Sequence, residues 1–174
     1  KAQKLHCLLM VDEAQMFSRE ALEGIRILTN LEHEGTKLMQ IILLGQEELA
    51  RLLAKPELAA LAQRISNNVQ LKALKEDETV DYIRHRLASA GGHAELFSQE
   101  SLLMSSRATM GIPRLINTIC DKSLMNSFFR GSQLVTLQDV HEAAKDTGLG
   151  ARTRAYMNQS GSASTFNSSS PLAN

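Results

Sequence analysis

Two short apolar runs separated by a helical pattern constrain the fold of this chain most strongly. Residues 5–11 (LHCLLMV) and 37–45 (KLMQIILLG) are short, apolar and followed at once by polar residues, which is typical of strands buried on both faces of a parallel sheet. Between them, Ser18 can cap a helix with apolar residues at helical spacing, and Gly35 is expected to end it. A strand, a helix and a strand form a right-handed crossover. The fold class is therefore predicted to be α/β.

Two adjacent carboxylates, Asp12 and Glu13, follow the first apolar run directly. An unpaired carboxylate is costly to bury, so a bound cation would explain two of them at this point. If a parallel strand ends at Val11, both lie at the carboxyl edge of the sheet, where α/β proteins bind ligands. In nucleotide hydrolases the first carboxylate holds Mg²⁺ and the second orients or activates the attacking water. The alternative is that this pair merely opens a loop.

A polar residue, Gln46, follows the second apolar run. Since neighbouring parallel strands end at the same edge, its amide is expected to reach the attacking water or a γ-phosphate beside Glu13. The alternative is an ordinary polar residue of a loop.

Two arginines are further candidates. Arg114, in GIPRLIN, is predicted in the first turn of a helix, where its charge opposes the helix dipole and indicates a nearby anion such as a γ-phosphate. Arg64, in LAQRISNN, is expected on the surface, where it can reach the nucleotide of a neighbouring subunit. The alternatives are a solvated arginine for the first and an intramolecular salt bridge for the second.

The remainder of the chain changes from strands to helices. Residues 47–61 are predicted to be helical with an interruption at Pro56, and residues 67–74 (NNVQLKAL) to form a third strand. Residues 75–149 contain capping and stop signals for four short helices, which predicts a small second domain after residues 1–74. The capping signals are Ser98, Pro113 as the first residue of a helix, and the capping-box pair Thr136 and Asp139. Residues 150–174 are rich in Ser and Asn and are expected to form a flexible tail.

Composition excludes several classes of protein. Lys plus Arg and Asp plus Glu both number 19, so no overall positive charge draws the chain to nucleic acid, and no nucleic-acid partner is expected. Cys7 and Cys120 form no CxxC pair, which argues against zinc and against a disulfide framework and favours a reducing cytoplasm. The sequence has no run of apolar residues long enough to span a membrane.

The order of these motifs resembles that of an AAA+ ATPase. The segments LLMVDEAQMFSREALEGIRILTNLEHEGTKLMQIILLGQEEL, LAQRI, YIRHRLASAGG and GIPRLINTICDKSL are similar to the general secretion pathway protein A family, which includes the mannose-sensitive haemagglutinin pilus biogenesis ATPases. This resemblance runs from about Leu8 to Leu149. It implies the C-terminal part of a P-loop AAA+ parallel-sheet core, followed by an all-helical lid domain.

The resemblance also implies roles for the candidate residues. It places Asp12 on Mg²⁺, Glu13 as the catalytic glutamate and Gln46 as sensor 1. It makes Arg64 the candidate arginine finger and Arg114 the sensor 2 residue that contacts ATP from the lid.

The function implied by the resemblance is ATP binding and hydrolysis in support of type IV pilus or type II secretion machinery. Its implied partners are copies of itself and an assembly protein at the inner membrane, and its implied location is the cytoplasm or the inner-membrane surface. Two alternatives stay open: a nucleotide-switched DNA-binding regulator of the transposition-ATPase type, and a scaffold that lacks a P-loop and activity.

The chain departs from the family pattern in one respect, because it contains no GxxxxGK[ST] segment. The sequence is therefore expected to be the C-terminal part of a longer protein and to be inactive alone. Without the P-loop strand, a gap in the sheet is expected to leave strand edges and apolar faces exposed and to favour self-association.

Overall fold

The computed structural model describes residues 7–163, which fall into two compact units, one ending at Gln70 and the other beginning at Leu71. The first unit contains β1 (Cys7–Val11), α1 (Arg19–Leu28), β2 (Glu32–His33), β3 (Thr36–Lys37), β4 (Met39–Leu43), α2 (Glu47–Leu53) and α3 (Ala59–Ala62), with 3₁₀ turns at Ala14–Met16 and Pro56–Leu58. Strands β1 and β4 pair in parallel, with Val11 opposite Leu43. Helix α1 connects them, so the predicted α/β class is confirmed.

One face of the β1–β4 pair forms the core of the first unit. Leu9, Val11, Ile41 and Leu43 pack there against apolar side chains of the three helices and of the second 3₁₀ turn. Helix α1 begins where the sequence predicts, because the Ser18 hydroxyl accepts a hydrogen bond from the Ala21 N–H at 3.3 Å.

The opposite face of this sheet is not covered by any described element of the first unit. Leu8, Met10 and Ile42 are 52%, 58% and 41% exposed, whereas the sequence predicts strands buried on both faces. The difference arises because the described helices of the first unit all pack on the other face. Such a contiguous apolar surface is the kind that proteins cover by association.

Two further predictions from the sequence are wrong. Gly35 does not end α1, which stops at Leu28; with Glu34 it forms the turn of the β2–β3 hairpin, where both residues have positive φ (50° and 74°). Residues 67–74 form no strand, and Val69 and Leu71 are 80% and 92% exposed. A strand requires hydrogen bonds to a neighbour, and this segment pairs with no strand in the described part of the chain.

The second unit is helical. Within the described residues it consists of α4 (Glu76–Ser89), α5 (Gln99–Thr109), α6 (Pro113–Phe129), α7 (Leu137–Asp146) and α8 (Gly150–Ala163), with a 3₁₀ turn at Ala94–Leu96. Its core is built from buried apolar side chains of the first four helices and the segments between them, among them Val80, Ile83, Leu102, Met104, Ile116, Ile119 and Val140.

The helix α8 corrects the prediction of a flexible tail from residue 150. Tyr156 packs against the core of the second unit, and the guanidinium of Arg107 lies 4.5 Å from the centre of its ring. Thr153 is fully buried, and its hydroxyl lies 2.7 Å from Nδ1 of His141. Within residues 71–163 the second unit therefore has five α-helices rather than four. Residues 164–174, the rest of the predicted tail, lie outside the described residues.

A buried carboxylate joins α6 to α7. Asp139 is 2% exposed, and its Oδ2 accepts hydrogen bonds from the N–H and the hydroxyl of Thr136 at 2.7 and 2.8 Å. The guanidinium of Arg130 donates to both carboxylate oxygens, at 2.6 and 3.2 Å. The Thr136 and Asp139 pair forms the capping box that the sequence predicts for this helix.

Candidate active site at the carboxyl edge of the sheet

The candidate site is built by the two loops that leave β1 and β4. Because the strands are parallel and in register, both loops start at the same edge of the sheet. Two backbone hydrogen bonds connect them: Leu44 N–H to Val11 O at 2.8 Å, and Ala14 N–H to Leu44 O at 2.9 Å. Ala14 is fully buried and anchors the first loop in the core.

The carboxylates Asp12 and Glu13 are exposed at this edge. Oδ1 of Asp12 accepts a hydrogen bond from the Glu13 N–H at 2.8 Å. Glu13 adopts the left-handed conformation (φ 50°, ψ 39°), which costs a residue other than glycine on the order of 1 kcal/mol. Neither carboxylate forms a salt bridge with a lysine or arginine among the described residues. The edge therefore carries uncompensated negative charge, which suits a cation.

Gln46 and Gln15 both contact Glu13. The Gln46 amide donates to Oε2 of Glu13 at 3.4 Å, and the Gln15 amide donates to the same oxygen. Gln46 is also the N-cap residue of α2, but its side chain makes no capping hydrogen bond and so stays available for Glu13. In the structure Gln46 therefore lies beside Glu13, as the sequence predicts.

Sequence reasoning missed Gln15. Its Oε1 accepts a hydrogen bond from the backbone N–H of Gln46 at 3.3 Å, so one side chain contacts both loops. In the sequence, Gln15 is distinguished only by its position two residues after Glu13. That spacing indicates a contact with Glu13 only when the 3₁₀ turn at Ala14–Met16 is known.

A side chain at position 45 would crowd the place where these loops approach each other. A Cβ there would lie 2.6 Å from Oε1 of Gln15 and 2.9 Å from Cδ2 of Leu49. Both distances are shorter than van der Waals contact, so a larger residue would displace the Gln15 amide or the Leu49 side chain.

The two candidate arginines are placed differently. Arg64 follows α3 in the first unit, and its backbone N–H bonds to Leu61 O at 2.9 Å. Its side chain is exposed and forms no hydrogen bond or ion pair with the residues grouped around Glu13. Arg114 belongs to the second unit, where it is the second residue of α6, in the first turn as predicted, and its side chain is exposed. Neither guanidinium forms an ion pair with a described residue, and their roles remain predictions.

Comparison with known proteins places the chain in a family. Residues 1–53 match a family described as an AAA domain. Over 137 residues, 79% of this chain, the sequence is 42% identical to General secretion pathway protein A of Aeromonas hydrophila. The chain belongs to the AAA family, in the group of general secretion pathway protein A. The resemblance inferred from the motifs is thereby confirmed at the level of this group.

A second relative belongs to a different functional class. An uncharacterised HTH-type transcriptional regulator of Methanocaldococcus jannaschii is 26% identical over 148 residues, 82% of this chain. The chain spans 25% of the length of the general secretion pathway protein and 36% of the regulator. Within residues 7–163, no helix is both long enough and apolar enough to cross a bilayer.

Proposed function

We propose that this chain supplies the magnesium-binding and water-activating part of an ATP-hydrolysing site in an AAA ATPase. The contact of Glu13 with Gln46, at the carboxyl edge of parallel strands and next to Asp12, is the observation that carries the proposal. Because the 174 residues contain no GxxxxGK[ST] segment, the proposal assigns no phosphate-binding loop to them.

The carboxylate of Asp12 fits a magnesium ligand. Its Oδ1 is occupied by the Glu13 N–H, while Oδ2 has no hydrogen bond to any described residue. Magnesium prefers oxygen ligands and is usually held by one or two carboxylates, with phosphates and water completing its shell. When bound, Mg²⁺ neutralises charge that develops on the phosphate oxygens.

Glu13 is suited to accept the proton of the attacking water. Both amide donors bond to its Oε2, which leaves Oε1 without a partner among the described residues and able to act as a base. The Gln46 amide lies beside it and orients either the water or the γ-phosphate. Arg64, supplied by a neighbouring copy, and Arg114, in the helical unit, stabilise negative charge on the phosphates.

We further propose that the whole protein serves a type II secretion or type IV pilus machinery. It would act as an oligomer at the cytoplasmic face of the inner membrane, together with an assembly protein there. This assignment is supported by the 42% identity to General secretion pathway protein A and by the motifs shared with pilus biogenesis ATPases.

Magnesium dependence tests the proposal. The product of the complete gene is expected to release phosphate from ATP only when Mg²⁺ is present. In the Asp12→Asn variant, the Mg²⁺ concentration for half-maximal turnover should rise by about tenfold or more, since one anionic ligand is lost. Glu57→Gln removes an exposed carboxylate elsewhere in the first unit and should leave that concentration unchanged. Absence of turnover, or identical Mg²⁺ curves for all three proteins, would contradict the proposal.

A DNA-binding regulator is the second candidate, and the 26% identical HTH-type relative favours it. The equal numbers of acidic and basic residues count against a nucleic-acid surface on this chain. Filter binding of the same gene product to duplex DNA separates the two. A salt-sensitive affinity for DNA would support the regulator. If the protein retained no DNA on the filter and its ATP turnover depended on magnesium, the envelope ATPase would be supported.

A further inference from the structure

Gln15 connects the two loops of the candidate site with both ends of its amide. The N–H of Gln46 can only donate, so the Gln15 atom 3.3 Å away must be the oxygen. The Gln15 nitrogen therefore faces Glu13, where it donates to Oε2. The hydrogen-bonding pattern thus determines which way this amide points.

The backbone around Gln15 is held firmly. Ala14 is fully buried and bonds to Leu44 O, Met16 N–H bonds to Glu13 O at 2.9 Å, and Phe17 N–H bonds to Ala14 O at 3.2 Å. Gln15 itself is half-buried, while Asp12, Glu13 and Gln46 are exposed. An amide fixed on such a turn can hold a flexible carboxylate in one orientation before the reaction begins.

We propose that Gln15 is a positioning residue that orients the Glu13 carboxylate and couples it to the backbone at Gln46. This inference rests on the proposed function, in which Glu13 is the base. By occupying Oε2, the Gln15 amide presents Oε1 to the water. By accepting from Gln46 N–H, it links the position of Glu13 to the start of α2, from which the Gln46 side chain extends.

Two substitutions separate these contacts. Gln15→Ala removes the donor to Glu13 and the acceptor for Gln46. Gln15→Glu keeps an oxygen for the Gln46 N–H, but replaces the donor with a second carboxylate beside Glu13. Gln70→Ala, an exposed glutamine of the same unit, is the matched control.

Kinetics of the complete gene product provide the first measurement. Both Gln15 variants are expected to lose about tenfold or more in kcat with the KM for Mg-ATP unchanged, because a misplaced base slows the chemical step without affecting binding. Gln70→Ala should match the unaltered protein. A purely structural role would change the melting temperature without this separation of kcat from KM.

Amide hydrogen exchange provides the second measurement and needs no turnover. In Gln15→Ala the Gln46 amide is expected to exchange faster, whereas in Gln15→Glu it should stay protected although kcat falls. If the Gln15 variants had a normal kcat while Glu13→Gln had no turnover, this inference would be overturned and the proposed function would stand. Normal turnover in Glu13→Gln would overturn both. An unchanged Gln46 exchange rate in Gln15→Ala would overturn the coupling.

Discussion

Glu13→Gln in the complete gene product is expected to lower ATP turnover by about 10²- to 10⁴-fold, the usual contribution of a general base. The amide has the size of the carboxylate but cannot accept the proton of the attacking water. Asp12 and the backbone around position 13 are unchanged, so Mg-ATP should still bind. Phosphate release measures turnover, and titration with a fluorescent ATP analogue measures binding.

The Glu57→Gln variant controls for the loss of one negative charge, because Glu57 is exposed and lies outside the group of residues around Glu13. It should turn over ATP like the unaltered protein. If Glu13→Gln retained more than about a tenth of the turnover, a general base at this position would be excluded. If turnover and ATP affinity fell together, Glu13 would instead act in binding.

Asp139→Ala is expected to destabilise the second unit by about 2–4 kcal/mol. The change removes a helix cap and the buried carboxylate of an ion pair whose arginine is partly exposed. It leaves the Thr136 N–H and the guanidinium of Arg130 without the carboxylate that accepts their hydrogen bonds. Arg130 is 46% exposed on its side chain and can be solvated, which keeps the loss below that of a fully buried pair. Urea unfolding followed by tyrosine fluorescence reports on this unit, since Tyr82 and Tyr156 both belong to it.

Stability of the second unit is also expected to fall in acid because of Asp139. Burial opposes its ionisation, but the hydrogen bonds from Arg130 and Thr136 outweigh burial and lower its pKa. A lowered folded-state pKa contributes stability above the ordinary aspartate pKa, and this contribution disappears as pH falls through the folded value. Asp139→Asn should flatten that acid dependence. Asp146→Asn, at an exposed position of the same helix, should retain it; equal acid dependence in both variants would exclude Asp139 as its source.

Local signals in the sequence predicted many of the elements. Ser18 and Ser98 cap α1 and α5 with their hydroxyls, Pro113 opens α6, and Thr136 with Asp139 opens α7. A cap depends on residues within about one helical turn, so it can be read directly from the sequence. Strands β1 and β4 were also predicted from the sequence, because their apolar composition is typical of strands in a parallel sheet.

The errors arose where structure depends on distant residues. Residues 67–74 have the composition of a strand but no neighbouring strand in the described part of the chain. Helix α8 lies in a polar segment whose composition indicates flexibility, but Tyr156 packs against the core and Arg152 donates to Ala108 O at 3.1 Å. Such tertiary contacts can stabilise a helix that its sequence alone does not indicate.

By itself, the sequence determined the α/β class, the parallel order of β1 and β4, and the position of Asp12, Glu13 and Gln46 at the strand ends. These features follow from local apolar patterns and from the rule that parallel strands end at one edge. Only the tertiary structure decided that Gln15 and Gln46 share one oxygen of Glu13, and that a side chain at position 45 would crowd Gln15 and Leu49. Those contacts join residues about thirty positions apart, and they exist only because β1 and β4 pair in register and bring the two loops together.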